Sequence, residues 1–167
     1  VEAILADMWR RYPKETKEHM ITWLESSSPK QRTLAFHGME HVAEDDPEYI
    51  LECITRNIDD ESPDVQKKMT HVITQVARTR PAECYPFLRE WLTVENEARV
   101  KTVWSAMKKL VGIATQKHAK EKYEEFYILT KQTVHDWKLD SNEQVAAMGT
   151  KLYEEYENPD NFAEVEV

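Results

Sequence analysis

Apolar residues recur along this chain with a helical rhythm, and the rhythm itself repeats every 34 residues. A slide of 34 aligns Val1, Ala35, Met69 and Val103, then Ile4, Gly38, Val72 and Ala106, then Leu5, Met39, Ile73 and Met107. Two more columns follow: Met8, Val42, Val76 and Leu110, and Trp9, Ala43, Ala77 and Val111. Gly38 alone among these positions is not apolar. Within each unit the positions fall at i, i+3, i+4, i+7 and i+8, the stripe of an amphipathic helix. Val145, Met148, Gly149, Leu152 and Tyr153 repeat the spacing at a longer offset and open a fifth unit. A second set of helices carries its own columns, Met20, Ile54 and Leu88, and Leu24, Ile58 and Leu92. No single pair of helices can enclose so many apolar side chains, so the units must stack on one another.

The prolines mark the same period. Pro13, Pro47 and Pro81 form one series and Pro29 and Pro63 another. Each stands where a helix begins and a missing N–H is harmless. Ser28 and Ser62 precede two of them as N-cap candidates, and Asn96 and Asn142 precede two further helices. The predicted helices are 1–11, 13–25, 30–44, 47–58, 64–79, 81–93, 98–113, 117–137 and 143–157, with the eighth longer than its equivalents. The units are 1–25, 30–58, 64–93, 98–137 and 143–157, one repeat domain over 1–157, followed by an acidic tail over 158–167.

Composition narrows the picture. Three glycines in 167 residues and no alternating strand pattern leave an all-α chain. No apolar run reaches the roughly 18 residues of a membrane span, so no membrane association is expected. Cys53 and Cys84 each fall on an apolar stripe, which suits reduced thiols and a cytoplasmic setting. Net charge is −9, which argues against indiscriminate nucleic-acid binding. The charge is unevenly spread, however. Residues 64–138 carry 14 Lys/Arg against 9 Asp/Glu, whereas 139–167 carry one Lys against eight acids. The basic middle, from Arg78 and Arg80 through Arg89 and Arg99 to Lys101, Lys108 and Lys109, keeps an anionic partner in view.

The turn Asp59-Asp60-Glu61-Ser62-Pro63-Asp64-Val65-Gln66-Lys67 resembles the inter-helix turn of HEAT repeats more than the signature of tetratricopeptide repeats. The stretch from Asp60 to Pro81 is also similar to a motif of the bacterial DNA alkylation repair proteins. Asp60, Ser62, Val65, Lys67, Ile73, Val76, Arg78 and Pro81 fit it without a gap. Phe87-Leu88-Arg89-Glu90-Trp91 resembles the second helix of that motif. Arg32-Thr33-Leu34-Ala35-Phe36-His37-Gly38 resembles a diverged copy of the family's R-R-L-A-S-E-G, keeping Arg32, Leu34, Ala35 and Gly38. The Arg- and Trp-rich segment that should follow is replaced by Met39-Glu40-His41-Val42-Ala43-Glu44-Asp45-Asp46. The resemblance covers about 1–115 and implies a right-handed α-α superhelix, a HEAT-like solenoid of four to five hairpins. It would also imply excision of alkylated bases from DNA, but the departures fall on polar positions.

Two groups of residues are candidates for a site. His37, His71 and Ser105 share one phase of successive first helices near Arg32, a polar column. With His41 one turn from His37, three imidazoles could face a metal, but a polar seam without metal is the expectation. Trp23, Asn57 and Trp91 form a 34-spaced column near the ends of the second helices, with Trp137 taken as its continuation and Arg89 beside it. If second helices line the concave face, that column receives a partner. No nucleophile with its base, phosphate cradle or cysteine cluster is present in the sequence, and no cofactor is expected. The expected function is a non-catalytic scaffold binding a protein partner. The alternative is a diverged alkylpurine-DNA glycosylase or damaged-DNA binder, reaching DNA through the basic segment 64–138.

Overall fold

The computed structural model describes residues 2–116 and 118–157. Val1 and the acidic tail at 158–167 lie outside the described residues. Ten α-helices follow one another: α1 (Glu2–Arg11), α2 (Pro13–Leu24), α3 (Pro29–Met39), α4 (Pro47–Asn57), α5 (Pro63–Thr79), α6 (Pro81–Leu92), α7 (Glu97–Ala114), α8 (Ala119–Lys122), α9 (Glu124–Lys138) and α10 (Glu143–Glu157). There is no strand among the described residues, and the fold is all-α.

The helices form two layers. In the first, α1 packs on α3, α3 on α5, α5 on α7 and α7 on α10. In the second, α2 packs on α4, α4 on α6 and α6 on α9. The apolar columns are the seam between the layers. Ala35, Met69 and Val103 are buried, as are Met39, Ile73 and Met107, and the second-helix set Met20, Ile54, Leu88, Leu24, Ile58 and Leu92. Each fully buried side chain of this size contributes about 1.5–3 kcal/mol. The first unit departs from the columns: Ile4 is 64% exposed and Met8 40%. Both lie on α1, at the edge of the first layer among the described residues.

Pro13, Pro29, Pro47, Pro63 and Pro81 all stand at helix starts. The residues before the second helices share one backbone conformation: Tyr12 (φ −133°, ψ 62°), Asp46 (−144°, 59°), Arg80 (−134°, 58°) and Tyr123 (−141°, 64°). Proline disfavours the α region for its predecessor, which explains the first three. Tyr123 has no proline after it and still adopts the same bend. It splits the long eighth helix expected over 117–137 into α8 and α9. That split makes α9 the second helix of the fourth unit, with α8 inserted ahead of it.

The caps only partly follow expectation. Asn96 accepts from the Arg99 N–H at 3.1 Å, and Asn142 accepts from the N–H groups of Gln144 and Val145. Ser28 and Ser62 make no side-chain cap. Their backbone N–H groups instead donate to the Ser26 hydroxyl and to Asp60 Oδ1. An oxygen two residues earlier stiffens the turn before proline, which leaves the expected serine hydroxyls unused.

Candidate nucleic-acid interface

An open groove of about 1020 Å³ crosses the first layer, between α3, α5 and α7. Lys30 comes from α3, Lys67 and Lys68 from α5, and Lys101 and Lys109 from α7. Asp64 is the one carboxylate lining it. The five lysines meet there because all three helices turn the flank beside their buried stripe toward the same trough. Lys67, Lys101 and Lys109 come from the basic middle of the sequence, whereas Lys30 lies outside it. The 34-residue lattice places Lys67 and Lys101 in equivalent positions of adjacent units, a signal the sequence carried.

Beside the groove sits a polar cluster that joins α3 to α5. Lys68 Nζ donates to Glu40 Oε1 at 2.6 Å and lies 2.9 Å from His37 Nδ1. His37 Nδ1 is 3.5 Å and His71 Nε2 3.6 Å from the Glu40 carboxylate. The imidazole of His71 is harder to protonate than usual, chiefly because of burial, with Glu40 opposing and Lys109, Lys68 and His37 adding to the effect. The expected polar column is therefore half assembled. His37 and His71 converge, but on Glu40, which belongs to the acidic segment Met39–Asp46. Ser105 lines the groove and donates to the Lys101 carbonyl one turn back. Among the described residues no three His, Cys, Asp or Glu side chains are arranged to hold a metal ion.

Arg32 lies apart from this cluster. Its guanidinium holds Asp60 through Nε at 2.6 Å and Nη2 at 3.2 Å, and its Nη1 donates to the Ser26 carbonyl. Asp60 is the first residue of the longer family motif and Arg32 the first of the shorter one. Their ion pair fastens the two motifs together, so both positions have an architectural role here.

The expected aromatic column is largely interior. Trp91 is 2% and Trp137 3% exposed, and neither can receive a partner at the surface. Trp91 Nε1 donates to Thr55 Oγ1 at 2.8 Å, tying α6 to α4. Asn57 Nδ2 donates to the Leu24 carbonyl at 3.0 Å, tying α4 to the end of α2. Trp23 is half-buried against the core. Counted from the bend at Tyr123, the equivalent of Trp91 is Val134, not Trp137, because the inserted α8 shifts the register. Arg89 forms a two-pronged ion pair with Asp140 at 2.7 and 3.0 Å. The remaining basic side chains disperse in the same way: Arg99 pairs with Asp59, Lys108 with Glu155, and Arg78 donates to the Tyr123 hydroxyl. Lys101 and Lys109 are left to the groove.

The thiols offer no chemistry. Burial pushes the Cys53 thiol up to about 11 and the Cys84 thiol further still. A thiolate able to accept an alkyl group needs the opposite environment, exposed and electropositive.

The fold is thus an all-α stack of helices in two layers, with a lysine-lined trough across one of them. A model of the DNA alkylation repair enzyme family matches residues 1–111, about two thirds of the chain and the part that contains every lysine of the groove. The chain belongs to that family. No curated protein and no solved structure matches it. Family membership favours the alternative expectation, a DNA alkylation repair protein, over the non-catalytic scaffold for a protein partner. No helix among the described residues is long and apolar enough to cross a membrane.

Proposed function

We propose that this protein is a DNA-binding member of the alkylation repair family that holds its substrate by the phosphates, in the trough between α3, α5 and α7. The observation that carries the reading is a groove lined by Lys30, Lys67, Lys101 and Lys109, beside the Lys68–Glu40 pair, with Asp64 as its one lining carboxylate among the described residues, in a chain whose net charge is −9. An acidic protein that gathers lysines in one trough directs its affinity to that trough and repels DNA elsewhere. Recognition has more support than excision. Cleavage of an N-glycosidic bond calls for a carboxylate near the sugar. Asp64 faces the groove, while Glu40 is engaged by Lys68. The scaffold reading has no comparable feature, since Trp91 and Trp137 of its candidate partner-binding column are buried. We read the hairpins as HEAT-like and the superhelix as right-handed. A cytoplasmic location agrees with the buried, free cysteines.

Fluorescence anisotropy with duplex DNA across a salt series tests the proposal. Each phosphate engaged contributes about −0.9 to the log–log slope. Lys67→Glu with Lys101→Glu should flatten the slope by about 2 and weaken binding of every duplex alike. Binding that ignores salt, or that survives both substitutions unchanged, would refute the groove as the interface. Incubation with methylated DNA then asks separately whether 7-methylguanine or 3-methyladenine is released.

A further inference from the structure

Lys68 reaches the wall of the trough, but its charge is held elsewhere. Its Nζ is 2.6 Å from Glu40 Oε1 and 2.9 Å from His37 Nδ1. An ammonium has hydrogens to give and no lone pair with which to accept. His37 Nδ1 is therefore the acceptor in that contact and carries no proton there. Glu40 has two further neighbours: His37 Nδ1 itself is 3.5 Å from Oε1, and His71 Nε2 is 3.6 Å from Oε2. Two imidazoles and one ammonium thus surround a single acid whose side chain is 13% exposed. The charged and titratable groups that bear on His71 are Glu40 and His37 from the α3 side, Lys68 on its own helix and Lys109 from α7. The Gln75 amide nitrogen, one turn along α5, lies 3.5 Å from His71 Nε2.

We infer that His37 and His71 form a proton-operated switch on the DNA trough: neutral, they leave Lys68 bound to Glu40, and protonated, they take that acid themselves and release Lys68 to phosphate. The switch rests on the DNA-binding reading above and adds its regulation. A proton on His37 Nδ1 turns the acceptor of the Lys68 ammonium into a donor of like charge, and the contact breaks. The new imidazolium is placed to use Glu40 Oε1, and an imidazolium at His71 to use Oε2. Lys68, on its flexible four-carbon stem, then turns into the trough that Lys67, Lys101 and Lys109 line. Phosphates in the trough favour the charged imidazoles in return. DNA binding therefore takes up protons, and affinity rises as pH falls. Burial, opposed by Glu40, makes His71 harder to protonate than usual. In the free protein the change at His71 accordingly falls below the ordinary histidine value of about 6.5.

Anisotropy titration of one paired duplex at pH 8.0 and pH 5.5, each across a salt series, tests the switch. Wild type should bind about tenfold more tightly at pH 5.5, with a log–log salt slope steeper by about 1 for the added phosphate contact. His37→Gln with His71→Gln should hold the change to about twofold or less, because glutamine accepts from Lys68 but takes no charge. The other histidines remain in that variant, so any change that persists belongs to them. Glu40→Gln should release Lys68 at both pH values, raising affinity at pH 8.0 and steepening the salt slope there by about 1. It carries the test if the double histidine variant fails to fold. If the duplex binds at neither pH, the trough reading fails and the switch with it. The switch alone is overturned if wild type binds equally at both pH values, or if the double histidine variant keeps the full change. The same holds if Glu40→Gln binds no more tightly than wild type at pH 8.0.

Discussion

Gly149 shows how a single missing side chain sets the geometry of the last unit. A Cβ built there would run into the backbone of Trp137 and Lys138, atoms that cannot swing aside. Gly149→Ala should therefore force α10 away from α9 and lower stability by about 1–3 kcal/mol, read by urea denaturation. At Gly38 the Cβ would meet Leu5 Cδ1 and Met20 Cε, flexible ends that can move. Gly38→Ala should be nearly neutral, since alanine recovers up to about 1 kcal/mol of helix propensity. The thiols are inert for an equally local reason. Cys53 and Cys84 are buried and hard to ionise. Neither should react with iodoacetamide at pH 7.5 until the chain unfolds, and mass spectrometry of native and denatured samples checks this.

Between elements, the long-range ion pairs replace caps that the sequence pattern had implied. Asp60 is 6% and Arg32 16% exposed in their side chains, and Asp60 also accepts the Ser62 N–H. Asp60→Ala leaves a largely buried guanidinium with the Ser26 carbonyl as its remaining partner. A loss near the lower end of the about 3–5 kcal/mol for broken buried pairs should follow. Calorimetric melting of Asp60→Ala beside the double substitution Arg32→Met, Asp60→Leu separates the orphaned charge from the pair itself. The Arg89–Asp140 pair clamps α6 to the turn before α10. Hydrogen bonding from Arg89, then the Asn142 N–H, holds the Asp140 carboxyl below its ordinary range. A carboxyl whose folded pKa is depressed adds stability above the unfolded value, about 3.9, and loses it as pH falls through the folded value. Wild type should therefore lose more stability than Asp140→Asn between pH 5 and pH 2, which denaturation midpoints across that range will show.

At the scale of the whole molecule, charge is sorted by tertiary pairing. Arg89, Arg99 and Lys108 are each matched by an acid 40 to 51 residues away and Lys68 by Glu40, while Lys30, Lys67, Lys101 and Lys109 collect in one trough. DNA affinity should accordingly depend on a few lysines and little on the paired arginines. Arg89→Gln is expected to leave the salt slope within experimental error, whereas Lys109→Glu should flatten it by about 1. Anisotropy titrations from low to moderate salt provide the comparison.

The repeat, the helices and most of the core were legible in the residues alone, because a buried stripe must recur with the helical period wherever helices stack. Ile73, Met107 and Leu88 could be placed by counting. Family membership was readable for the same reason, since the Asp60 and Arg32 motifs keep their spacing. The tertiary structure alone decided that Trp91 and Trp137 face inward, that α8 shifts the register of the fourth unit, and that His37 and His71 meet at Glu40. It also decided which basic side chains remain for a ligand. Apolar periodicity is a local property that neighbours three and four residues apart impose. The partner of a long charged side chain depends on which distant turn folds beside it, and no local pattern encodes that.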